Sequence, residues 1–266
     1  MSTLEKAYLK AMQEEGQEQD PFDSSNVVVK RKDARELSNS RDGIKRMEQR
    51  HIYTAEERKN KKLISSSMKE VRLLDSYRNL RTKLLNSSDK QNFITMVTSV
   101  VPDDDSSLVA ANLAATFALD EGKTATLIDT KIHNPSLDAL LDLEGKPGLI
   151  DFLESQDFTV KDVLHHTGIP RLRLVPCGEV RESASEYFTS DKMREFIEEL
   201  LGRYPDRFPI IDAPCITHSA DTRILTELCD KVVLVIPYGG CSEDDIMKAV
   251  LAIGKTKLAG VILNQF

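Results

Sequence analysis

The sequence contains no tryptophan, only four cysteines in 266 residues, and no long apolar run. The cysteines form no CxxC pair and lack the histidine spacing of a zinc site, so we expect free thiols in a reducing compartment. They are Cys177, Cys215, Cys229 and Cys241. A helix that crosses a bilayer needs about eighteen apolar residues, and the first residues lack the basic and then apolar order of a signal peptide. We therefore expect a cytoplasmic protein.

The sequence also has fewer basic than acidic residues. The chain has 36 lysines and arginines against 43 aspartates and glutamates, which gives a net charge of -7. This balance offers no electrostatic reason to expect nucleic acid as a partner. With 40% apolar and 30% charged residues, the chain is typical of a soluble protein that is long enough to bury a sizeable core.

Short β-branched runs alternate with helical patterns over most of the chain. We predict strands at 92–98, 124–128, 171–175, 207–211, 231–236 and 258–263. We predict helices at 106–121, 190–203 and 242–256. Strands that are apolar on both faces and alternate with helices predict a mostly parallel, doubly wound α/β sheet that is covered on both sides. Ligands of such sheets bind beyond the carboxyl ends of the strands.

The first part of the chain differs in composition from the rest. Residues 3–15 have apolar side chains at helical spacing, which predicts a short amphipathic helix that packs either on its own domain or on a partner. Residues 16–62 are polar, with few aromatics, and predict a solvated arm. We therefore divide the chain into 1–65, an amphipathic helix with a polar and partly disordered arm, and 66–266, an α/β domain that opens with a helix at 66–86.

The stretch SVVPDDDSSLVAANLAA follows the first predicted strand and leads into a helix. In a phosphate-binding loop (P-loop) at this position, glycines let backbone N–H groups approach the phosphates, a lysine neutralises them, and the last Ser or Thr ligates magnesium. Here Asp103, Asp104 and Asp105 occupy the glycine-rich part. Ser106 stands in place of the lysine, and Ser107 alone keeps its type.

Negative charge in this loop disfavours nucleotide binding. Two like unit charges about 4 Å apart repel by roughly 4 kcal/mol at an effective dielectric constant near 20. Each tenfold change in affinity corresponds to about 1.4 kcal/mol, so losing the lysine and gaining a carboxylate would move a micromolar site beyond millimolar. The same aspartates can instead satisfy the unpaired N–H groups and the partial positive charge of the helix N-terminus.

Two further predicted strands end in an aspartate at the same edge of the sheet. Asp129 lies in LIDTKIHNPSL, and Asp212 lies in FPIIDAPC. P-loop ATPases hold the magnesium shell with carboxylates in these places. One such aspartate is a common helix cap, but three elements in this order favour a nucleotide-type site. Its metal ligands would be Ser107, Asp129 and Asp212 if any magnesium is bound.

With these motifs the sequence resembles the bacterial tyrosine kinases (BY-kinases) of exopolysaccharide loci, relatives of the positioning ATPases that carry a deviant Walker motif. Over about residues 70–264, the family motifs SxxPGEGK[ST], IDxDxRxP and IIDxPP correspond to SVVPDDDSS, IDTKIHNP and IIDAPC. Stretches such as GLIDFL and IPRLRLVPCG look most like the exosortase-associated tyrosine autokinases. The resemblance implies a P-loop fold in which Asp129 and Asp212 are the catalytic carboxylates.

The chain departs from the family pattern at several positions besides the loop. Lys131 replaces the second acid of the second motif, and His133 replaces its arginine. Active members end in a tyrosine-rich tail, which we do not expect here because the sequence reaches Phe266 without one. These departures together imply a pseudokinase. In it, Lys131 would supply the charge of magnesium by pairing with Asp212 or with the aspartate loop.

The predicted helix at 66–86 carries Asp75, Arg78 and Arg81 where the family has ExxRxxR. The resemblance links this motif to ring assembly and to contact with a membrane activator. Spacings of three residues place the side chains on one helical face, where they can meet an acidic patch on a neighbouring subunit. The alternative is an ordinary solvated face.

We therefore expect a pseudokinase or regulatory scaffold that acts in exopolysaccharide biosynthesis or export. It would require no cofactor and would form a homo-oligomer or hetero-oligomer. Its expected partner is a membrane polysaccharide co-polymerase or an active kinase, which would hold it at the inner face of the cell membrane. The alternative is an active protein-tyrosine autokinase that uses ATP and Mg²⁺. A weaker alternative is a relative of the positioning ATPases.

Overall fold

A computed structural model describes residues 52–89, 91–102, 105–179, 184–203 and 205–265. Its strands are β1 (Thr95–Ser99), β2 (Thr124–Asp129), β3 (His165–His166), β4 (Leu172–Val175), β5 (Arg207–Asp212), β6 (Lys231–Pro237) and β7 (Leu258–Asn264). They form one sheet in the order β3-β4-β2-β5-β1-β6-β7, and every pairing is parallel except β3 with β4. The predicted doubly wound α/β class is confirmed. The predicted amphipathic helix at 3–15 lies outside the described residues.

Helices cover both faces of the sheet. The first part of the described chain contains α1 (Ala55–Asn60), α2 (Val71–Asn86), α3 (Ser106–Ala118), α4 (Leu137–Leu140) and α5 (Leu149–Glu154). The second part contains α6 (Ala184–Thr189), α7 (Asp191–Arg203), α8 (Ala220–Leu228) and α9 (Glu243–Ile253). In the described residues, none of these helices is long and apolar enough to pass through a lipid bilayer.

Two apolar clusters lie on opposite faces of the sheet. On one face, α3 lies between the sheet and α2, so it is buried on almost every side and its apolar residues show no single stripe. On the other face, Phe196 and Leu200 of α7 join Leu225 of α8 and Val250 of α9. Burial of both faces explains why β1, β2 and β5 are buried at every residue.

The predicted strands are all present, with ends shifted by a few residues, while several short elements were missed. The strand β3 and the helices α1, α4, α5, α6 and α8 were not predicted. Each is nine residues or shorter, so its hydrophobic period is too brief to be distinguished from a loop. The predicted helix at 242–256 ends instead at Ile253, because Gly254 has a φ of 81°.

We predicted a solvated polar arm up to residue 65, but some side chains just before residue 66 are buried in the core. Tyr53, Leu63 and Ile64 are buried. The Ile64 N–H donates to Asn112 Oδ1 at 2.8 Å, and Asn112 Nδ2 donates to the Lys62 carbonyl at 3.1 Å. The packing could not be predicted because these few apolar side chains lie among many charged ones in the sequence. The division of the chain at residue 65 otherwise stays a prediction.

Candidate active site

The carboxyl ends of three central strands bring the predicted site residues together. β2, β5 and β1 lie side by side, and Asp129 of β2 is the direct register partner of Asp212 of β5. The loop after β1 leads into α3, whose first residues are Ser106 and Ser107. A parallel sheet with this strand order places all of these side chains at one edge. The arrangement has the layout of a P-loop site.

The Lys131 side chain lies in the centre of this edge. Its Nζ donates to Ser106 Oγ at 2.7 Å and to Ser107 Oγ at 2.8 Å, and it lies 3.3 Å from Asp212 Oδ1. The Lys131 side chain is 15% exposed and Asp212 is fully buried. Three oxygens from two elements therefore hold one ammonium between the start of α3 and the end of β5.

Asp129 is fully buried beside this ion pair. Its Oδ1 accepts from the Lys131 N–H at 2.9 Å, and its Oδ2 accepts from the N–H groups of Ser136 and Leu137 at 3.4 and 3.3 Å. Burial raises the pKa of Asp129 to about 7, with a further increase from the negative charge of Asp212. The backbone N–H groups and the Lys131 charge oppose this rise only in part. Near neutral pH, Asp129 therefore carries a proton in a large fraction of molecules.

A neighbouring threonine fixes the spacing of the two strands at this edge, and the sequence alone gave no signal for it. Thr130 Oγ1 donates to the Asp212 carbonyl at 2.7 Å, and the Thr130 N–H donates to the same oxygen at 3.0 Å. Both bonds tie the end of β2 to the end of β5. They keep the carboxyl groups of Asp129 and Asp212 adjacent, so that one carboxylate and one ammonium balance when Asp129 is protonated.

The residues at this edge do not suit a magnesium nucleotide in this arrangement. In a P-loop, the terminal Ser or Thr hydroxyl and the strand-end carboxylates are the oxygens that face the metal. Here Ser107 Oγ and Asp212 Oδ1 both face the Lys131 ammonium. A cation placed among the same oxygens would meet a fixed positive charge. Lys131 would have to leave its three partners before magnesium could enter.

We predicted that the aspartates of the loop before α3 cap this helix, but Asp105 does not. Asp105 occupies the N-cap position of α3, but its side chain makes no capping hydrogen bond and is exposed. Its ψ of 33° lies outside the extended region that side-chain caps adopt. Asp103 and Asp104 lie outside the described residues. In the described residues, the loop therefore contributes exposed negative charge instead of a helix cap.

A thiol and an imidazole lie close together next to the loop, and sequence reasoning missed the pair. Cys215 Sγ contacts the Val100 carbonyl and Thr217 Oγ1 at 3.0 Å, and it lies 3.5 Å from His218 Nδ1. Thr217 Oγ1 donates to the Val100 carbonyl at 2.7 Å. Cys215 stands at the last position of IIDAPC, where the resemblance expects proline, and that departure was the available signal.

The three residues of the predicted assembly motif do not present one common surface. Arg78 Nη1 lies 3.5 Å from Asp75 Oδ1, and both side chains are about half exposed. Arg81 instead points inward, where its Nη1 donates to the Thr116 carbonyl of α3 at 2.8 Å. Asp75 and Arg78 are thus available at the surface, whereas Arg81 stabilises the contact between α2 and α3.

No protein-family model matches the chain. The tyrosine-protein kinase YwqD of Bacillus subtilis is 32% identical over 203 residues, which cover 74% of this chain and 84% of that protein. Among solved structures, the chimerical protein CapA2B2 superposes with a TM-score of 0.66 at 26% identity, over 72% of this chain and 84% of that one. The kinase domain of the Escherichia coli tyrosine kinase ETK superposes with a TM-score of 0.65 at 24% identity, over 72% and 74% of the two chains.

Proposed function

The chain belongs to the family of bacterial tyrosine-protein kinases, and from this premise we propose that it is a non-catalytic or weakly catalytic member that acts as a scaffold in exopolysaccharide biosynthesis. The observation that carries the proposal is the position of the Lys131 ammonium. It contacts Ser106, Ser107 and Asp212 at once. The cation of the site is thus part of the chain, and the site needs no metal to be neutral.

The energetics support an impaired site. Two unit positive charges about 4 Å apart repel by roughly 4 kcal/mol at an effective dielectric constant near 20. The double charge of magnesium raises this to roughly 8 kcal/mol, which corresponds to a loss of more than about 10⁵-fold in affinity for magnesium. The exposed carboxylate of Asp105 adds repulsion toward the phosphates of a nucleotide. The position of the P-loop lysine holds Ser106, whose hydroxyl has no charge to offset that repulsion.

A titration with ATP and magnesium tests this proposal. A ligand that binds the native state raises the melting temperature, by an amount that grows with the ratio of ligand concentration to Kd. We expect no increase for the unmodified chain at millimolar ATP and magnesium. A clear, magnesium-dependent increase in melting temperature would refute the pseudokinase proposal.

A restored variant is the positive control for that titration. It replaces the loop and the second motif by the family pattern, with Asp103→Gly, Asp104→Glu, Asp105→Gly, Ser106→Lys and Lys131→Asp. We expect this variant to gain a melting-temperature increase with ATP and magnesium that the unmodified chain lacks. If the restored variant folds but stays insensitive, the departures at these positions are not the cause of impaired binding.

The scaffold would act through a partner at the inner face of the cell membrane. We propose a membrane polysaccharide co-polymerase or an active kinase as this partner, contacted by residues 1–20 and by the exposed Asp75 and Arg78 of α2. Removal of residues 1–20 should abolish co-purification with the co-polymerase of the same organism, while the charge-removing control Lys248→Gln on α9 should not. Undiminished binding after the deletion would exclude a docking role for this segment.

An active autokinase is the second candidate function, favoured by the adjacent Asp129 and Asp212 at the strand ends. Tyr238, at the carboxyl end of β6, is 68% exposed and is the most accessible tyrosine of the described residues. An active enzyme would incorporate phosphate from radiolabelled ATP, and Asp212→Asn would abolish the labelling. Absence of labelling in the unmodified chain, with labelling in the restored variant, would exclude this candidate.

A further inference from the structure

The strand β7 ends the sheet, and among the described strands it pairs with β6 alone. The Tyr238 N–H donates to the Asn264 carbonyl at 2.8 Å, so the backbone groups of Asn264 point toward β6. These directions alternate along a strand, so the N–H and C=O groups of Val261 and Leu263 point away from β6, to the outside of the sheet. A second strand can pair with such a row of donors and acceptors.

The side chains at this edge are apolar and partly exposed. A Cβ on Gly260 would lie 3.0 Å from Leu80 of α2, so Gly260 faces the α2 side of the sheet. Val261 and Leu263 project from the opposite side, where they are 38% and 41% exposed. β7 contains no charged residue and no proline, which are common means of preventing pairing at an edge strand. Its register shift relative to β6 lies before Gly260, so the rest of the edge is regular and open to pairing.

We propose that residues 26–30 (NVVVK) of the same chain form an added strand, parallel to β7 on its outer side. Residues 1–51 lie outside the described part of the chain, and 27–29 is their only run of three β-branched residues. β-Branched residues favour strands, and about five residues is a common strand length. The inference does not rest on the proposed function, because β7 contributes no residue to the candidate active site.

The chain that follows residue 30 is long enough for this arrangement. The Tyr53 N–H donates to the carbonyl of Gly168, between β3 and β4, which fixes the start of the described chain near β4. From β4 to a strand outside β7 there are six strand spacings of about 4.8 Å, or about 29 Å in total. Residues 31–51 extend to about 70 Å. The same chain therefore spans the distance with length to spare.

The hand of such a connection matches that of its neighbours. Its described part, residues 53–65 and α2, includes side chains that pack on the α3 face of the sheet. The connection from β1 through α3 to β2 crosses this face and runs toward β4. A connection from outside β7 to β1 runs over the same face in the same direction, so both have the same hand. Parallel connections share one hand in about 98% of cases, which favours a parallel strand at this place.

The charges at the two ends of β7 also favour the parallel direction. Residues 30–32, which follow the valines, are Lys-Arg-Lys. β6 ends at Pro237 and α9 begins at Glu243, so the first turn of α9 lies at the carboxyl end of the sheet. Glu243 and Asp244 in that turn are exposed. A parallel strand brings the basic residues to this acidic end, whereas an antiparallel strand would carry them to the opposite end.

Amide hydrogen exchange in the full chain tests the added strand. The outward N–H groups of Val261 and Leu263 exchange slowly if they are paired and fast if they face solvent. Val27→Pro with Val28→Pro removes two successive N–H groups, one of which points toward β7 in either register. We expect exchange at Val261 and Leu263 to become at least about tenfold faster in this variant. Ser38→Pro, later in the same segment, is the matched control and should leave the exchange unchanged.

Dilution distinguishes the chain's own segment from a second copy. A strand from the same chain protects Val261 and Leu263 equally at every protein concentration. Protection that persists with both prolines and is lost on about hundredfold dilution would show that a second copy occupies the edge, and would overturn the proposal. Fast exchange at both residues in the unmodified chain, or equal exchange with and without the prolines, would overturn it as well.

Carbodiimide coupling, which joins a lysine to an adjacent carboxylate, tests the direction of the strand. We expect links from residues 30–32 to Glu243 or Asp244, identified by mass spectrometry. These links should disappear in the variant that combines Glu243→Gln with Asp244→Asn, and in the double-proline variant. Their absence from the unmodified chain would overturn the parallel direction.

Discussion

Replacement of Lys131 by methionine should destabilise the fold measurably. Methionine retains much of the length of lysine but removes the ammonium that contacts Asp212 at 3.3 Å. Because Asp212 is fully buried, the variant leaves a carboxylate in the protein interior without its cation. Breaking a buried ion pair from one side costs about 3–5 kcal/mol, and the 15% exposure of Lys131 places the expected cost near the lower end, about 3 kcal/mol.

Thermal unfolding followed by circular dichroism measures this cost. A change of 1 kcal/mol shifts the melting temperature by about 2–4 °C for a domain of this size, so a decrease of about 6–12 °C is expected. Lys248→Met is the matched control, because Lys248 pairs with Asp245 at 3.8 Å and is 71% exposed. Such surface pairs contribute about 0–1 kcal/mol. A decrease no larger than that of the control would refute the structural role of Lys131.

A double-mutant cycle separates the ion pair from packing. Asp212→Asn removes the charge that Lys131 neutralises, so Lys131→Met should cost less in the presence of Asp212→Asn than alone. The interaction energy of such a pair is about 0.5–3 kcal/mol. An additive double variant would show that Lys131 stabilises through its methylene groups or its serine contacts instead of through Asp212.

Three other predictions concern separate parts of the domain. Because the pKa of Asp129 is raised to about 7, the native state binds more protons than the unfolded chain between pH 4 and 7. The free energy of unfolding should therefore fall as pH rises through this window, by up to about 1.4 kcal/mol per pH unit. Measured by urea unfolding, the free energy of unfolding of Asp129→Asn should depend less on pH. Asn112→Ala should cost about 1–3 kcal/mol, because it leaves the buried Ile64 N–H without an acceptor, and limited proteolysis before residue 66 should become faster. Gly148→Ala should strongly lower the midpoint of urea unfolding, because a Cβ at this position would lie 2.2 Å from the carbonyl oxygen of Pro176. An unchanged midpoint would show that this turn can relax.

The sequence was sufficient to predict the sheet because its strands are buried on both faces. A continuous apolar run such as the VVLVI of β6 identifies such a strand without any knowledge of its neighbours. The positions of Asp129 and Asp212 at one edge followed from the same rule, since both end parallel strands. These inferences need only local patterns and a general property of parallel sheets.

Features that depend on contacts distant in sequence could not be predicted in the same way. The position of Ile64 in the core depends on Asn112, which lies more than forty residues later and shows no local signal for this contact. The inward direction of Arg81 depends on a carbonyl of α3. The spacing of Asp75, Arg78 and Arg81 correctly predicts neighbouring positions on one helix. It does not predict whether each side chain contacts its own domain or is exposed to a neighbouring subunit.

The positions of Ser106 and Lys131 are best understood as one change. In the family pattern, position 106 is a lysine and position 131 is an acid, so a cation reaches the phosphates from the start of α3. In this chain the cation comes from the end of β2, and its Nζ lies 2.7 Å from the Ser106 hydroxyl. A lysine at both positions would place two ammonium groups together, which costs roughly 4 kcal/mol at about 4 Å. Once Lys131 neutralises Asp212, the site therefore disfavours a lysine at position 106.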